Sequence, residues 1–469
     1  MEIPVSEIEK QKEIIRRVND ISISRPSQPL AYVDTYGCQQ NEADSEKLRG
    51  MLEGMGYGFT TNEFEADVII INTCAIRESA ENRVIGNVGA LVHTKKAKPS
   101  QVIVFCGCLA GVRETVAKIK QTYRHVDLVF APNLLWRFPG MLYSKLTSAG
   151  REFETDGGDG AIDEGFPIRR MGKVKAWLPI MYGCDNFCSY CIVPYVRGRE
   201  RSRRPGAILE EAAKLVAGGY KDVTLLGQNV NSYGAGLDEP VNFAALIRRL
   251  NDISGEFLIR FMTSHPKDAS IELFRAMAES EKAARHIHLP FQAGSDRILR
   301  LMNRGYTQKE YLEKAAAARE FMPDIVITSD VIVGFPGETE EEFEDTLRLV
   351  EKARFDAMFT FIYSKRPGTP AAELDETSTR DEIQVRFDML VALQNAISED
   401  KHSRYVGQTV RVLVDEESRD ERYPLKARTN GGRLVHLLGE AGLVGSFIDA
   451  RITHCNSWSL FGAPNNSTR

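Results

Sequence analysis

"MYGCDNFCSYCIVP", residues 181–194, sets Cys184, Cys188 and Cys191 on one short stretch, with three residues between the first pair and two between the second. The stretch follows "KAWLPIMY", which reads as a strand, so the cysteines sit on a loop at a strand's C-terminal end. In strand–helix folds that is where the chemistry is carried. A structural zinc site takes four protein ligands, and no nearby Cys or His supplies a fourth. Three thiolates suit a [4Fe-4S] cluster with one iron left without a protein ligand. That open iron can be chelated by a small molecule bearing an amino group and a carboxylate.

Downstream of the loop the alternation of strands and helices continues. "DVTLLG", "EFLIRFMT", "HIHLP", "IVITSDVIVG" and "DAMFTFIYS" read as strands, and "GAILEEAAKLVAGG" as a helix with Ile208, Leu209, Ala212, Leu215 and Val216 on one face. Six β/α units predict a partial barrel over residues 171–400, two units short of a full one. A helical stretch, 381–404, ends it. The acidic run Glu340 to Glu344 fits a helix N-terminus in solvent. From Val406 onward, short alternating strands with Gly turns predict a small all-β barrel, the domain 401–465.

Upstream, "AYVDTYG", "DVIIINT", "VIVFCG" and "DLVFA" alternate with amphipathic stretches. Continuous β-branched runs of this kind predict a parallel sheet covered on both faces, over residues 30–147. Residues 148–170, rich in Gly and acidic side chains, read as a linker. The first twenty residues read as a short helix or a partly ordered arm. Cys38, Cys74 and Cys108 each follow one of three consecutive strands, so one sheet edge brings them together as a second set of three thiolates. Cys106 and Cys455 are read as packing residues.

Composition is that of a globular protein: 469 residues, 43% hydrophobic and 27% charged. No apolar run is long enough for a membrane span, and no signal core or transit peptide is visible. A cytoplasmic protein is expected, in which cysteines serve metals or catalysis rather than disulfides. With a net charge of −5, nucleic acid must be met by local basic patches. "YVRGRERSRR" offers Arg197 and Arg199 beside the cysteine loop, for phosphate or a carboxylate. The β domain offers Arg428 and Arg433, with Tyr423 and Trp458.

The spacing CxxxCxxC, with Tyr190 before the last cysteine, resembles the radical SAM superfamily. "LLGQNVNSYG" and "VIVGFPGET" stand where that family's loops meet S-adenosylmethionine (SAM), which implies cofactor contacts at Gln228, Asn229, Gly334 and Tyr190. Both cysteine sets together resemble the methylthiotransferase family. That likeness implies a flavodoxin-like cluster domain, a radical SAM (β/α)6 partial barrel and a TRAM (OB-like) RNA-binding barrel, in that order. "TYGCQQNEADSE", "HLPFQAGSDRILRLMNRGYT" and "VIVGFPGETEEEFEDT" resemble its MiaB branch, which acts on transfer RNA. Gln40 departs from the Met common there, but none of the six cysteine positions does.

The resemblance implies two [4Fe-4S] clusters, held by Cys38, Cys74 and Cys108 and by Cys184, Cys188 and Cys191. It implies two SAM molecules, and an isopentenylated adenosine beside the anticodon that gains a methylthio group at C2. No side chain is assigned as catalytic, since the cofactors carry the chemistry. An electron donor such as flavodoxin or ferredoxin, no membrane and a monomeric state are further expectations. Alternatives are a methylthiotransferase for threonylcarbamoyl-adenosine or for a ribosomal protein, and a non-enzymatic iron–sulfur scaffold that binds RNA.

Overall fold

A computed structural model describes residues 3–75, 78–148, 150–156, 158 and 160–465. Two compact units make up the chain. One comprises residues 1–171, 181–185 and 191–201, and the other 172–180, 186–190 and 202–469.

The first unit is built on a six-stranded, all-parallel sheet. Its strands are β1 (Leu30–Thr35), β2 (Gly58–Phe59), β3 (Val68–Thr73), β4 (Val102–Gly107), β5 (Leu128–Phe130) and β6 (Glu152–Glu154), in the order β2-β1-β3-β4-β5-β6. Helices α1 (Val5–Ile23), α2 (Gln39–Gly54), α3 (Glu78–Ala90), α4 (Val92–Ala97), α5 (Arg113–Thr122) and α6 (Phe138–Thr147) accompany it. Every residue of β3 and β4 is buried, because both faces are covered. Val68, Ile70, Val102 and Val104 pack on one side, and Ile69, Ile71, Ile103 and Phe105 on the other. This is the alternation a pleated strand imposes.

The arm at the N-terminus is a full helix, α1, with Ile15 and Val18 in the first core. The stretch expected as a linker contributes β6, paired in parallel with β5. It then runs back along α2: Lys47 pairs with Asp163 at 2.6 Å and Arg170 with Glu46 at 2.9 Å. A Cβ at Gly50 would stand only 2.2 Å from the Pro167 carbonyl oxygen. Composition could not reveal this, because the partners are side chains of a helix more than a hundred residues earlier.

The cysteine loop is flanked by two-residue strands, β8 (Met181–Tyr182) and β9 (Arg201–Ser202), and contains the short helix α7 (Val193–Arg197). In the second unit, β7 (Lys175–Pro179), β10 (Asp222–Leu226) and β11 (Leu258–Phe261) form one parallel sheet. The strands β12 (His286–His288), β13 (Val326–Val333) and β14 (Ala357–Ile362) form the other. An isolated parallel bridge links Ile259 of β11 to Ala283, three residues before β12. The result is six parallel strands in chain order, as the alternation predicts. Helix α8 (Pro205–Ala217) is followed by α9 (Phe243–Asn251), α10 (Ile271–Glu279), α11 (Asp296–Leu301), α12 (Gln308–Phe321), α13 (Glu340–Ala353) and α14 (Arg380–Ser403). Thr339 and Glu342 close a capping box on α13, which places Glu340 and Glu341 in its first turn.

After α14 come β15 (Thr409–Glu417), β16 (Leu425–Thr429), β17 (Leu434–Leu437), β18 (Phe447–Cys455) and β19 (Leu460–Pro464). They close a barrel in the order β15-β16-β17-β19-β18. Its core is Val412, Val414, Leu425, Ala427, Val435, Leu437, Ala450, Ile452 and Leu460.

Candidate functional site

One amide ties the ends of β1 and β3 together, and a threonine hydroxyl ties β3 to β4. Asn41, fully buried in the first turn of α2, donates from Nδ2 to the carbonyls of Tyr36 at 2.7 Å and Thr73 at 2.8 Å. Asn72 Nδ2 donates to the Asn41 carbonyl and to Ser45 Oγ, both at 2.9 Å. Thr73 Oγ1 reaches the Cys106 carbonyl at 2.5 Å. Cys38 precedes α2, Cys74 follows β3 and Cys108 follows β4, so this frame carries all three. Gly37 has φ +112°, and a Cβ there would lie 2.4 Å from the Cys74 Cβ. Only glycine permits that approach. Gly107, at φ +87°, turns the chain after β4. Cys106 therefore packs with the first core and Cys108 with the second.

Cys108 meets a guanidinium. Arg197 Nε stands 3.3 Å from its Sγ, while Arg197 Nη2 donates to Asn41 Oδ1 at 2.6 Å and to Asp44 Oδ2 at 2.9 Å. Burial pushes the Cys108 thiol up to about 11; Arg197 pulls it down, and Cys74 and Cys38 push it up again. Cys74 and Cys38 thus stand close enough to act on the Cys108 thiol. Among the described residues, no three His, Cys, Asp or Glu side chains are gathered into a ready metal site. Neighbouring thiols beside a buried cation nonetheless suit a metal that displaces their protons, so the donor chemistry fits an iron–sulfur cluster.

Arg197 was expected to hold phosphate or a carboxylate, and the structure places it elsewhere. Its side chain is buried, and its donors are taken up inside the first unit. Arg199 is exposed and forked on Asp185, at 2.8 and 3.2 Å. Cys184 and Cys191 are half-buried in the same unit, and the Cys184 N–H donates to the Gly198 carbonyl at 3.3 Å. Gly183 has φ +76°, and a Cβ there would fall 2.0 Å from the Arg199 carbonyl oxygen.

Cys188 and Tyr190 belong to the second unit, where a residue that sequence reasoning missed holds them. Arg304 is buried. It donates from Nη1 to Cys188 Sγ at 3.3 Å and to Tyr190 Oη at 3.5 Å, from Nε to Tyr306 Oη at 3.1 Å and from Nη2 to the Pro290 carbonyl at 2.9 Å. Asn303 Nδ2 donates to the carbonyls of Asn186 and Phe187 at 3.1 and 3.0 Å. The stretch "NRGYT" lay inside a motif already singled out, but nothing in its sequence says that Arg304 turns inward.

The other expected cofactor contacts lie at strand ends of this unit. Gln228 is half-buried just after β10. Asn229 is buried; it donates to Asp268 Oδ2 at 2.7 Å and accepts from the His265 N–H at 3.1 Å. The Gly334 N–H donates to Glu338 Oε2 at 2.9 Å. Burial pushes the Glu338 carboxyl up to about 7, against the Gly334 N–H and Arg386. Following β10, β11 and β12, the atoms Asn231 Oδ1, Ser264 Oγ, His265 Nε2 and Gln292 Oε1 are buried without a hydrogen-bond partner among the described residues, as is Ser189 Oγ in the cysteine loop. Buried polar atoms are rarely left so. A polar ligand at these strand ends would satisfy them, which fits SAM. Burial first, then Arg304, Lys267 and Lys314, push His265 down to about 2. Its imidazole is therefore neutral, and with Nδ1 accepting from the Lys267 N–H at 3.2 Å, Nε2 is left as a donor.

On the β barrel, half-buried Arg433 pairs with Asp356 and lies over the Tyr405 ring. Arg428 is half-buried and pairs with Asp415 at 2.9 Å. The barrel's outer face carries what the sequence reading passed over. Phe461 of β19 is paired with His436 of β17 and His454 of β18. The three rings stack across the strands, with centroids 5.0 and 4.4 Å apart. Tyr423 meets the stack edge-on, and Trp458 nearby in sequence is exposed.

Three family models match the chain: the radical SAM superfamily over residues 178–350, the uncharacterized protein family UPF0004 over 30–131 and the TRAM domain over 403–464. The chain is 47% identical over 461 residues to the tRNA-2-methylthio-N(6)-dimethylallyladenosine synthase of Acetivibrio thermocellus, covering 97% of this chain and 96% of that one. It is also 47% identical over 455 residues to the enzyme of the same name from Alkaliphilus oremlandii, with the same coverage. Among solved structures, the radical SAM methyltransferase TsrM from Kitasatospora setae aligns with a TM-score of 0.54 at 13% identity. That alignment covers 74% of this chain and 77% of that one, a likeness of fold alone.

Proposed function

The chain belongs to the tRNA-2-methylthio-N(6)-dimethylallyladenosine synthase family, and from that premise we propose how its residues divide the work. It is a radical SAM methylthiotransferase that converts N6-isopentenyladenosine beside the anticodon of transfer RNA to its 2-methylthio derivative, using SAM and [4Fe-4S] clusters. When bound, these cofactors supply the one-electron chemistry and the sulfur and methyl groups that side chains cannot.

Cys184, Cys188 and Cys191 hold the cluster that meets SAM, and Cys38, Cys74 and Cys108 hold the second. The observation that carries this division is the neighbourhood of Cys108. Two thiols, each after a neighbouring parallel strand, bear on the Cys108 thiol there, beside a buried arginine. Ser189, Asn231, Ser264, His265 and Gln292 orient the cofactor or the extruded base through their unsatisfied polar atoms, with the Gln228–Asn229 and Gly334 loops at the same strand ends. Arg199, Arg428 and the rings of His436, Phe461 and His454 contact the RNA, since cations steer phosphate and ring faces stack on bases.

Among the described residues no helix is long and apolar enough to cross a membrane. A transfer RNA substrate supports a cytoplasmic location. A low-potential flavodoxin or ferredoxin would serve as electron donor. One chain carries both cysteine sets and the β barrel, which supports action as a monomer.

The test uses anaerobically reconstituted protein with a strong reductant, SAM and isopentenylated transfer RNA, read by mass spectrometry. The wild type gives methylthiolated nucleoside, 5′-deoxyadenosine and S-adenosylhomocysteine. Cys188→Ala abolishes 5′-deoxyadenosine. Cys108→Ala keeps it and loses the methylthio product. Loss of 5′-deoxyadenosine in Cys108→Ala, with iron still on the other set, would refute the division.

A further inference from the structure

We propose that Arg197 is a positioning residue for the second cysteine set. It holds Cys108, sets the reduction potential of the cluster on Cys38, Cys74 and Cys108, and makes that cluster answer to the loop that carries Cys191. This rests on the assignment of those three thiols as cluster ligands.

Burying a guanidinium is costly unless its charge and its N–H groups are met. Asp44 balances the charge of Arg197 at 2.9 Å, and Asn41 takes a further hydrogen bond at 2.6 Å. The remaining contact, from Nε to Cys108 Sγ at 3.3 Å, is not needed to neutralise the arginine. Its consequence falls on the sulfur. A cation and an N–H directed at a ligand thiolate favour the reduced, more negative cluster and so raise its potential. An arginine side chain stays protonated throughout the working pH range, so the guanidinium is a fixed charge beside the sulfur.

The residue's origin gives the contact its second meaning. Arg197 closes α7, six positions after Cys191, so one continuous segment supplies a ligand to the first cysteine set and a charge to the second. α7 is anchored there by packing as well, since Ile192 and Val196 join the core that contains Cys108 and Leu109. A Cβ at Gly111 would lie only 3.0 Å from the Val196 Cβ.

The test is made on the full chain in a background of Cys184→Ala, Cys188→Ala and Cys191→Ala, where iron can sit only on the second set. Iron per chain is counted, and the cluster is titrated anaerobically against dyes with EPR readout. Arg197→Met should keep about four irons and show a potential more negative than the background protein. Arg197→Lys, which retains charge but not the planar fork, should fall between. A full cluster at unchanged potential in Arg197→Met would overturn the proposal. Loss of iron from Arg197→Met that Arg197→Lys restores would support it, and loss from both would overturn it by making the arginine an element of the fold only. A background protein that binds no iron would instead refute the assignment of the three thiols.

Discussion

Arg304 Nη1 lies 3.3 Å from Cys188 Sγ, the distance at which Arg197 Nε lies from Cys108 Sγ. Each cysteine set thus has one cysteine in contact with a buried guanidinium from outside its own spacing motif. Arg304 also fastens the Pro290 carbonyl and the Tyr306 hydroxyl. Arg304→Met should therefore lower stability by roughly 2–4 kcal/mol, as expected when buried polar partners lose a charged donor. Thermal unfolding of the apoprotein measures this, and Arg304→Lys should recover part of it. A variant as stable as the wild type would remove Arg304 from the frame of the loop.

Gly37 offers a sharper perturbation. An alanine there faces both a left-handed backbone angle and a Cβ 2.4 Å from the Cys74 Cβ. Left-handed strain alone costs on the order of 1–3 kcal/mol. Gly37→Ala should lose the cluster of the second set while leaving SAM cleavage intact. Iron per chain should fall by about half, with 5′-deoxyadenosine formation retained.

Glu338 gives a pH signature. Its carboxyl is held up to about 7 in the fold by burial, against an ordinary value of 4.5. Between those values the folded state binds the extra proton, so its contribution to stability falls as pH rises from about 4.5 to about 7 and is level above. The difference in unfolding free energy between Glu338→Gln and wild type should grow in favour of the variant by about 1.4 kcal/mol per pH unit across that window. A constant difference would show that the carboxyl is ionised throughout.

The stack of His436, Phe461 and His454 predicts a binding effect without a catalytic one. Phe461→Ala should weaken transfer RNA binding about tenfold or more at fixed salt, the scale of one base-stacking contact. Fluorescence anisotropy measures it. SAM cleavage in the absence of RNA should be unaffected.

The alternating architecture was legible because buried parallel strands are written as continuous runs such as "VIIIN", and because cysteines that follow such runs must reach one sheet edge. The fate of individual arginines was not. "YVRGRERSRR" reads as one cationic strip, yet Arg197, Arg201 and Arg203 are buried while Arg199 and Arg204 are exposed. Their direction is decided by partners such as Asn41 and Asp44, 156 and 153 positions away. No local period records such distances. The ring stack escaped for a related reason: its members come from three strands, and only the register of the closed barrel aligns them.

The strand hidden in the acidic, glycine-rich segment bears on how the protein can be cut. β6 covers the side of β5, whose three residues, Leu128 to Phe130, are all buried. A fragment ended at residue 147, where composition suggests a boundary, would leave that row of amides and carbonyls open beside apolar side chains. Such an edge is a template for pairing with a second copy. The segment acts as a guard against self-association, and fragments ended at 147 should precipitate where those extended to 171 remain dispersed.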